Sequence, residues 1–198
     1  MLSIVMSSRS GMPHDPLISL PIMVVSALLY AVLFFANDWT TQYLEAAPGV
    51  NWIYLPAGLR LFLVLIFGLS GALGIVISSV LITLYRDLGD DYLSIIGIGL
   101  ISGLSPLLAR YLTIRNLKIS PDLSNLNLPI IAACIVIFAL ISSILHQLWF
   151  WLMDIPSGSF PNTIVMITGD ILGAVLLIAL IKVCIDLYKR IFNQQTLL

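Results

Sequence analysis

Four uninterrupted apolar stretches, residues 17–35, 93–113, 128–152 and 162–187, each have the length needed to cross a bilayer. A spanning helix takes about 20 mostly apolar residues. In hydrocarbon every backbone N–H and C=O must be bonded within its own segment, so each stretch is expected to be a helix. Residues 52–85 form a further stretch, too long for one crossing and interrupted by Gly68-Leu69-Ser70-Gly71. Two short helices are expected there, the second and third of six, joined by a tight Gly-Ser turn. Pro56 suits the first turn of a helix. A start at Pro56 leaves the earlier helix barely long enough to cross, so it either crosses with the help of unwound backbone or is re-entrant.

Composition leaves lipid as the only suitable solvent. Of 198 residues, 60% are hydrophobic and 10% charged, against roughly a quarter charged in soluble domains. The mean hydropathy of +1.07 is spread along the chain rather than confined to one anchor. The expected fold is therefore all-α and polytopic, a single transmembrane domain over residues 17–187. Cytoplasmic segments at 1–16 and 188–198 flank it. The first of these lacks the short apolar run of a secretory signal and is expected to be retained. A net charge of −1 with no basic cluster argues against a nucleic-acid partner. Cys134 and Cys184 stand alone inside apolar runs and read as packing residues.

Lys and Arg collect in cytoplasmic loops, which sets the orientation. Arg9 precedes the first helix, Arg110, Arg115 and Lys118 follow the fourth, and Lys182, Lys189 and Arg190 end the sixth. With six crossings all seven lie on one side. Arg86 lies on the other, with Asp87, Asp90, Asp91 and the loops carrying Asp38, Glu45 and Asp154. Both termini are expected in the cytoplasm, in a bacterial inner membrane. Trp39, Trp52, Trp149 and Trp151 then fall near the outer face, as an interfacial belt requires.

An ionisable side chain at mid-membrane costs at least ~2.5–3.5 kcal/mol on insertion scales. Arg60 and Asp170 are the two that need a reason. Each lies some eight or nine residues inside the outer end of its helix, a shared depth of ~13 Å at ~1.5 Å per residue. They are expected to pair, as a bidentate guanidinium–carboxylate contact. That pair is either a staple between helices or a site for a ligand or ion reached from the outer face. His146 is a candidate proton sensor or a histidine satisfied by a neighbouring helix. Asn51, Tyr54, Asn162 and Thr168 are further polar groups at the same level, and with His146 they make up the candidate pocket. Gly99-x-x-x-Gly103 and Gly169-x-x-x-Gly173 are candidate helix-packing faces. The sequence holds no Gly-rich phosphate loop, no His-Glu-x-x-His helix and no Gly-x-Ser-x-Gly elbow. No catalysis, cofactor or metal is expected.

The segment Asn51-Trp52-Ile53-Tyr54-Leu55-Pro56-Ala57-Gly58-Leu59-Arg60, running on to Phe67-Gly68, resembles the Trp-x-Pro-x-Gly start of a bacterial membrane-associated sensor domain. Such domains precede histidine kinases and diguanylate cyclases. Trp149-Phe150-Trp151 with Gly169-Asp170-Ile171-Leu172-Gly173 is similar to the aromatic pair and Gly-Asp-x-x-Gly helix near that domain's end. The resemblance covers the chain from about Tyr30 onward and implies a non-catalytic sensor. The sequence is shorter than that domain by a helix or two, and no output domain follows in it. The expectation is a sensor-like module or accessory subunit that acts through another membrane protein or complex. The alternative is the substrate-binding membrane component of an energy-coupling-factor vitamin importer, with Gly99 and Gly103 as a face for its coupling proteins.

Overall fold

The structure is a computed structural model that describes residues 18–86, 91–117 and 127–195. Arg9, Asp87, Asp90, Lys118 and the segment 1–16 lie outside the described residues, as do the last three residues of the tail. Five helices carry the fold: α1 (Leu20–Thr41), α2 (Leu55–Arg86), α3 (Tyr92–Leu117), α4 (Leu128–Leu152) and α5 (Phe160–Gln195). All five are long and apolar enough to cross a membrane. Their starts follow from sequence. Proline occupies the first turn of α1 and of α4, and Asn127 caps α4 by accepting the Ile130 N–H at 3.0 Å.

The link between α1 and α2 departs from the all-helical expectation. After a 3₁₀ turn at Gln42–Leu44, Glu45–Ala47 (β1) pairs antiparallel with Val50–Asn51 (β2) around Pro48-Gly49. Gly49 has φ +77°, a left-handed conformation that only glycine adopts without penalty, and its N–H is held by Glu45 Oε1 at 2.8 Å.

α2 is not a straight rod. Gly68 leaves helical conformation, with φ 54° and ψ −129°. The Leu63 carbonyl oxygen lies 2.6 Å from where a Cβ on Gly71 would stand. In a straight helix these residues would be ~12 Å apart. The Leu55 N–H donates to Asn37 Oδ1 at 2.9 Å, and Arg86 Nη1 donates to Asp38 Oδ1 at 2.7 Å. Both ends of α2 thus meet the same end of α1, called here the hairpin end.

Burial is inverted relative to a water-soluble bundle. The buried residues of α1 are Ser26, Tyr30 and Asn37, while Val24, Val25, Leu28, Leu29 and Val32 face outward. Ser70, Ser78, Ser79, Ser102, Ser105, Ser142 and Ser143 are likewise buried between helices. Small and hydroxyl residues inside with apolar residues outside is the pattern of helices packed in lipid. Trp39, Tyr43, Tyr85, Tyr92, Trp151 and Phe160 are exposed together around the hairpin end, the arrangement of an aromatic belt.

Glycines set the closest approaches. A Cβ at Gly103 would stand 2.5 Å from the Ala72 carbonyl oxygen, and one at Gly99 would strike Val80. This face is filled by α2, which corrects the expectation that Gly99 and Gly103 could serve an outside partner. On the other side of α2, Gly58 lies against the Ala174 Cα, and Gly169 and Gly173 lie against the Asn51 and Tyr54 carbonyls. The Tyr54 N–H donates to the Gly169 carbonyl at 3.1 Å.

Gly173→Val sets a side chain against backbone that cannot retreat. Its expected cost is about 1–3 kcal/mol. Gly49→Ala meets open space and loses only the left-handed preference, about 1–2 kcal/mol. Thermal unfolding in mild detergent checks this. A Gly173→Val protein that melts with the wild type would remove the close approach of α5 to the start of α2.

Candidate functional site

The first turns of α2 place Arg60 against two rings. Its Cζ lies 5.3 Å from the ring centroids of both Tyr54 and Phe138, on whose faces a guanidinium is favourably placed. Phe138 comes from α4, and Tyr54 sits just before α2, pinned by its backbone bond to α5. Arg60 is 3% exposed and Asp170 2%. The glycine seam brings them together, because only close backbones let side chains from α2 and α5 meet at this depth.

The contact is looser than the bidentate fork expected from sequence. Arg60 Nη2 alone faces the carboxylate, 3.5 Å from each Asp170 oxygen, and shares its protons with Ser142 Oγ at 3.4 Å. Both rings also lie against the guanidinium, which meets Asp170 through one nitrogen rather than two. Among the described residues Nη2 makes all of the guanidinium's polar contacts, and Nε is buried with none. Arg60 therefore retains donor capacity in a place where unmet donors are costly.

A cavity of about 290 Å³ opens beside this pair. Arg60 and Asp170 lie along it with Tyr54, Tyr30, His146 and Ser102, and Pro48 and Gly49 of the hairpin and Ile155 to Ser157 of the α4–α5 link line its hairpin end. The Tyr30 and Tyr54 hydroxyls are 2.9 Å apart. Ser79 Oγ donates to Ser102 Oγ at 3.0 Å, and Ser102 Oγ lies 3.3 Å from His146 Nε2. His146 Nδ1 is 2.8 Å from the Ser142 carbonyl. Nδ1 donates to that carbonyl, and Nε2 shares a hydrogen bond with the Ser102 hydroxyl, which can serve as either donor or acceptor. The histidine is thus satisfied by α3 and by its own helix.

Of the polar groups expected to form the pocket, Asn51, Tyr54 and His146 line the cavity and Asn162 and Thr168 do not. The Asn162 side chain instead donates to the Ser157 carbonyl at 2.8 Å, fixing the α4–α5 link. The Thr168 hydroxyl bonds back to the Ile164 carbonyl at 2.8 Å, on a different face of α5 from Asp170. Tyr30, Ser79, Thr83 and Ser102 were missed by sequence reasoning; each is a hydroxyl inside an apolar helix, which was the available signal. Arg86 was counted in the sequence only for its place on the outer side. It bridges Asp38 and, at 3.5 Å, Glu45 at the cavity's hairpin end. Cys134 is buried as expected, whereas Cys184 is exposed. No group of three His, Cys, Asp or Glu gathers among the described residues.

No family model matches the sequence, and no curated protein or solved structure matches it. The fold and cavity define a class directly: a multi-pass helical membrane protein with a charge-bearing polar cavity beneath a layer of loops. The resemblance to a sensor domain rests on its motif residues alone.

Asp170→Asn leaves a buried guanidinium without a counter-charge, and Arg60→Met does the converse. Each is expected to cost about 3–5 kcal/mol, while the double variant Arg60→Met/Asp170→Leu recovers most of the loss. Thermal unfolding of purified protein checks this. A double variant that melts as low as the worse single variant would show that the two charges do not answer one another.

Proposed function

We propose that this chain is a non-catalytic sensor-type module of a bacterial inner membrane, which takes a small polar ligand from the outer face and acts through a partner protein. The observation that carries this reading is Arg60, a buried guanidinium with unused donors beside a cavity, loosely held to Asp170. A purely structural staple would be selected for a tight fork; spare hydrogen-bonding capacity at a cavity wall suits a ligand. The two motifs of the resemblance, Asn51 to Arg60 and Gly169 to Gly173, pack on one another at this cavity, which supports a common role. Partner contact falls to α5, whose residues from Lys182 to Arg190 are exposed on every side.

In this reading α2 makes two short antiparallel passes that turn at Gly68, so the chain crosses six times with both termini cytoplasmic. The meeting of both α2 ends with the end of α1 supports this. So does the charge distribution, with Arg110, Arg115, Lys182, Lys189 and Arg190 far along their helices from the aromatic belt. The vitamin-importer alternative requires a free coupling face other than Gly99 and Gly103.

Two measurements test the proposal. In a Cys184→Ser background, Gly49→Cys and Tyr85→Cys should both react with an impermeant maleimide from outside intact cells, and Lys189→Cys only after permeabilisation. Labelling of positions 49 and 85 from opposite sides would end the six-crossing reading. Mass spectrometry after mild detergent extraction should find a retained small molecule together with a kinase, a cyclase or another membrane complex. Paired ATPases with a bound vitamin would instead establish import.

A further inference from the structure

Resting on the ligand-binding reading, we infer that the cavity takes a compact zwitterion of the α-amino-acid type with an apolar side chain, its carboxylate on Arg60 and its ammonium on Asp170.

Charge balance selects the class. Two buried ionic groups at the cavity, Arg60 and Asp170, lie within 3.5 Å and cancel. Arg86, the other cation on the wall, is already answered by Asp38 and Glu45. His146 is held by the Ser142 carbonyl and the Ser102 hydroxyl rather than by a charged partner, and Tyr54 bonds to Tyr30. A bound anion would leave the site with a net negative charge and a bound cation with a net positive one, each at the desolvation cost of an unpaired charge. A zwitterion, like a neutral molecule, leaves the Arg60–Asp170 pair balanced, and it alone also offers each of the two a charged partner.

Geometry narrows the class. The two protein charges are adjacent, so a ligand that meets both must carry its own charges one carbon apart, as α-amino acids do. The guanidinium has donors to spare for a carboxylate, and Asp170 has acceptor sites beyond those that meet Arg60 and Ser142. The rest of the ligand is set by the opposite wall, where Ile98, Phe150, Ile155 and Met166 are apolar. A cavity of 290 Å³ has room for an amino acid of leucine's size.

The test uses the full-length protein in lipid nanodiscs, purified in buffers free of amino acids and titrated by calorimetry. The probes are L-leucine, 4-methylpentanoate, which lacks the ammonium, 3-methylbutylamine, which lacks the carboxylate, and 4-aminobutyrate, whose charges are separated. L-leucine is expected to bind, with each other probe weaker by roughly tenfold or more, the value of one lost charged hydrogen bond. Ile98→Trp, which fills the apolar wall and leaves the charges in place, should abolish leucine binding while the protein stays folded and monodisperse. Asp170→Asn should weaken leucine and leave 4-methylpentanoate unchanged or stronger. Equal affinity for leucine and 4-methylpentanoate, or tighter binding of glucose than of leucine, overturns the zwitterion while keeping a ligand cavity. Failure of all probes and of a mixed metabolite extract to bind, with wild type and Ile98→Trp alike, overturns the ligand-binding reading itself.

Discussion

A guanidinium between helices in a bilayer has to be answered from within the protein, and the arrangement around Arg60 follows from that need. Hydrocarbon offers no hydrogen-bond partner, and an unpaired charge costs several kcal/mol after every relaxation the protein can make. Arg60 is answered by two rings, a carboxylate and a serine hydroxyl, drawn from the chain before α2, from α4 and from α5. A carboxylate side chain is short, so α5 must come to backbone contact with the start of α2 for Asp170 to reach. Gly58, Gly169 and Gly173 are the residues that permit it. Tyr54, held over the guanidinium, then offers its hydroxyl to Tyr30, and Asn37 accepts the first N–H of α2. α1, which buries little else, is attached through these polar contacts.

The same economy runs through the interior. Apolar side chains gain nothing by leaving lipid for one another, so the helices are held by close packing and by hydrogen bonds between small polar groups. The Ser79–Ser102–His146–Ser142 chain crosses from α2 through α3 to α4, each group hydrogen-bonded to the next. His146 looked like a proton sensor in the sequence because it stands alone in an apolar helix. Its partners are a serine on another helix and a carbonyl one turn back on its own, neither of which a sequence scan pairs with it.

Much of the fold was legible because the bilayer imposes length. The apolar runs anticipated the helices to within a few residues at the membrane, and the shared depth of Arg60 and Asp170 pointed to their meeting. The hairpin was not legible, since three residues paired with two carry no period. Nor was the true lining of the cavity, for a reason that helical geometry supplies. Successive residues turn by ~100°, so Thr168 points some 200° from Asp170, while Met166, four residues before, shares its face. Met166 with Asp170, Ser79 with Thr83 and His146 with Phe150 are all i, i+4 pairs lining the cavity. Gathering residues by depth alone ignored that rotation. The looseness of the ion pair was likewise hidden, because it is a matter of side-chain geometry among residues from separate elements.

The seam that creates the cavity is also the contact a ligand there would act on. Arg60 belongs to α2 and Asp170 to α5, and any molecule that draws on both competes with the 3.5 Å contact between them. α5 has no glycine or proline after Gly173, and it runs as one helix to Gln195. A tilt or rotation at Asp170 is therefore carried along the helix rather than absorbed at a hinge. The exposed length beyond Lys182 is where such a displacement is largest. α2 responds differently, because its backbone leaves helical conformation at Gly68 and can give way there. On the proposed reading the asymmetry assigns the roles: α2 yields to the ligand, and α5 carries the change to a partner.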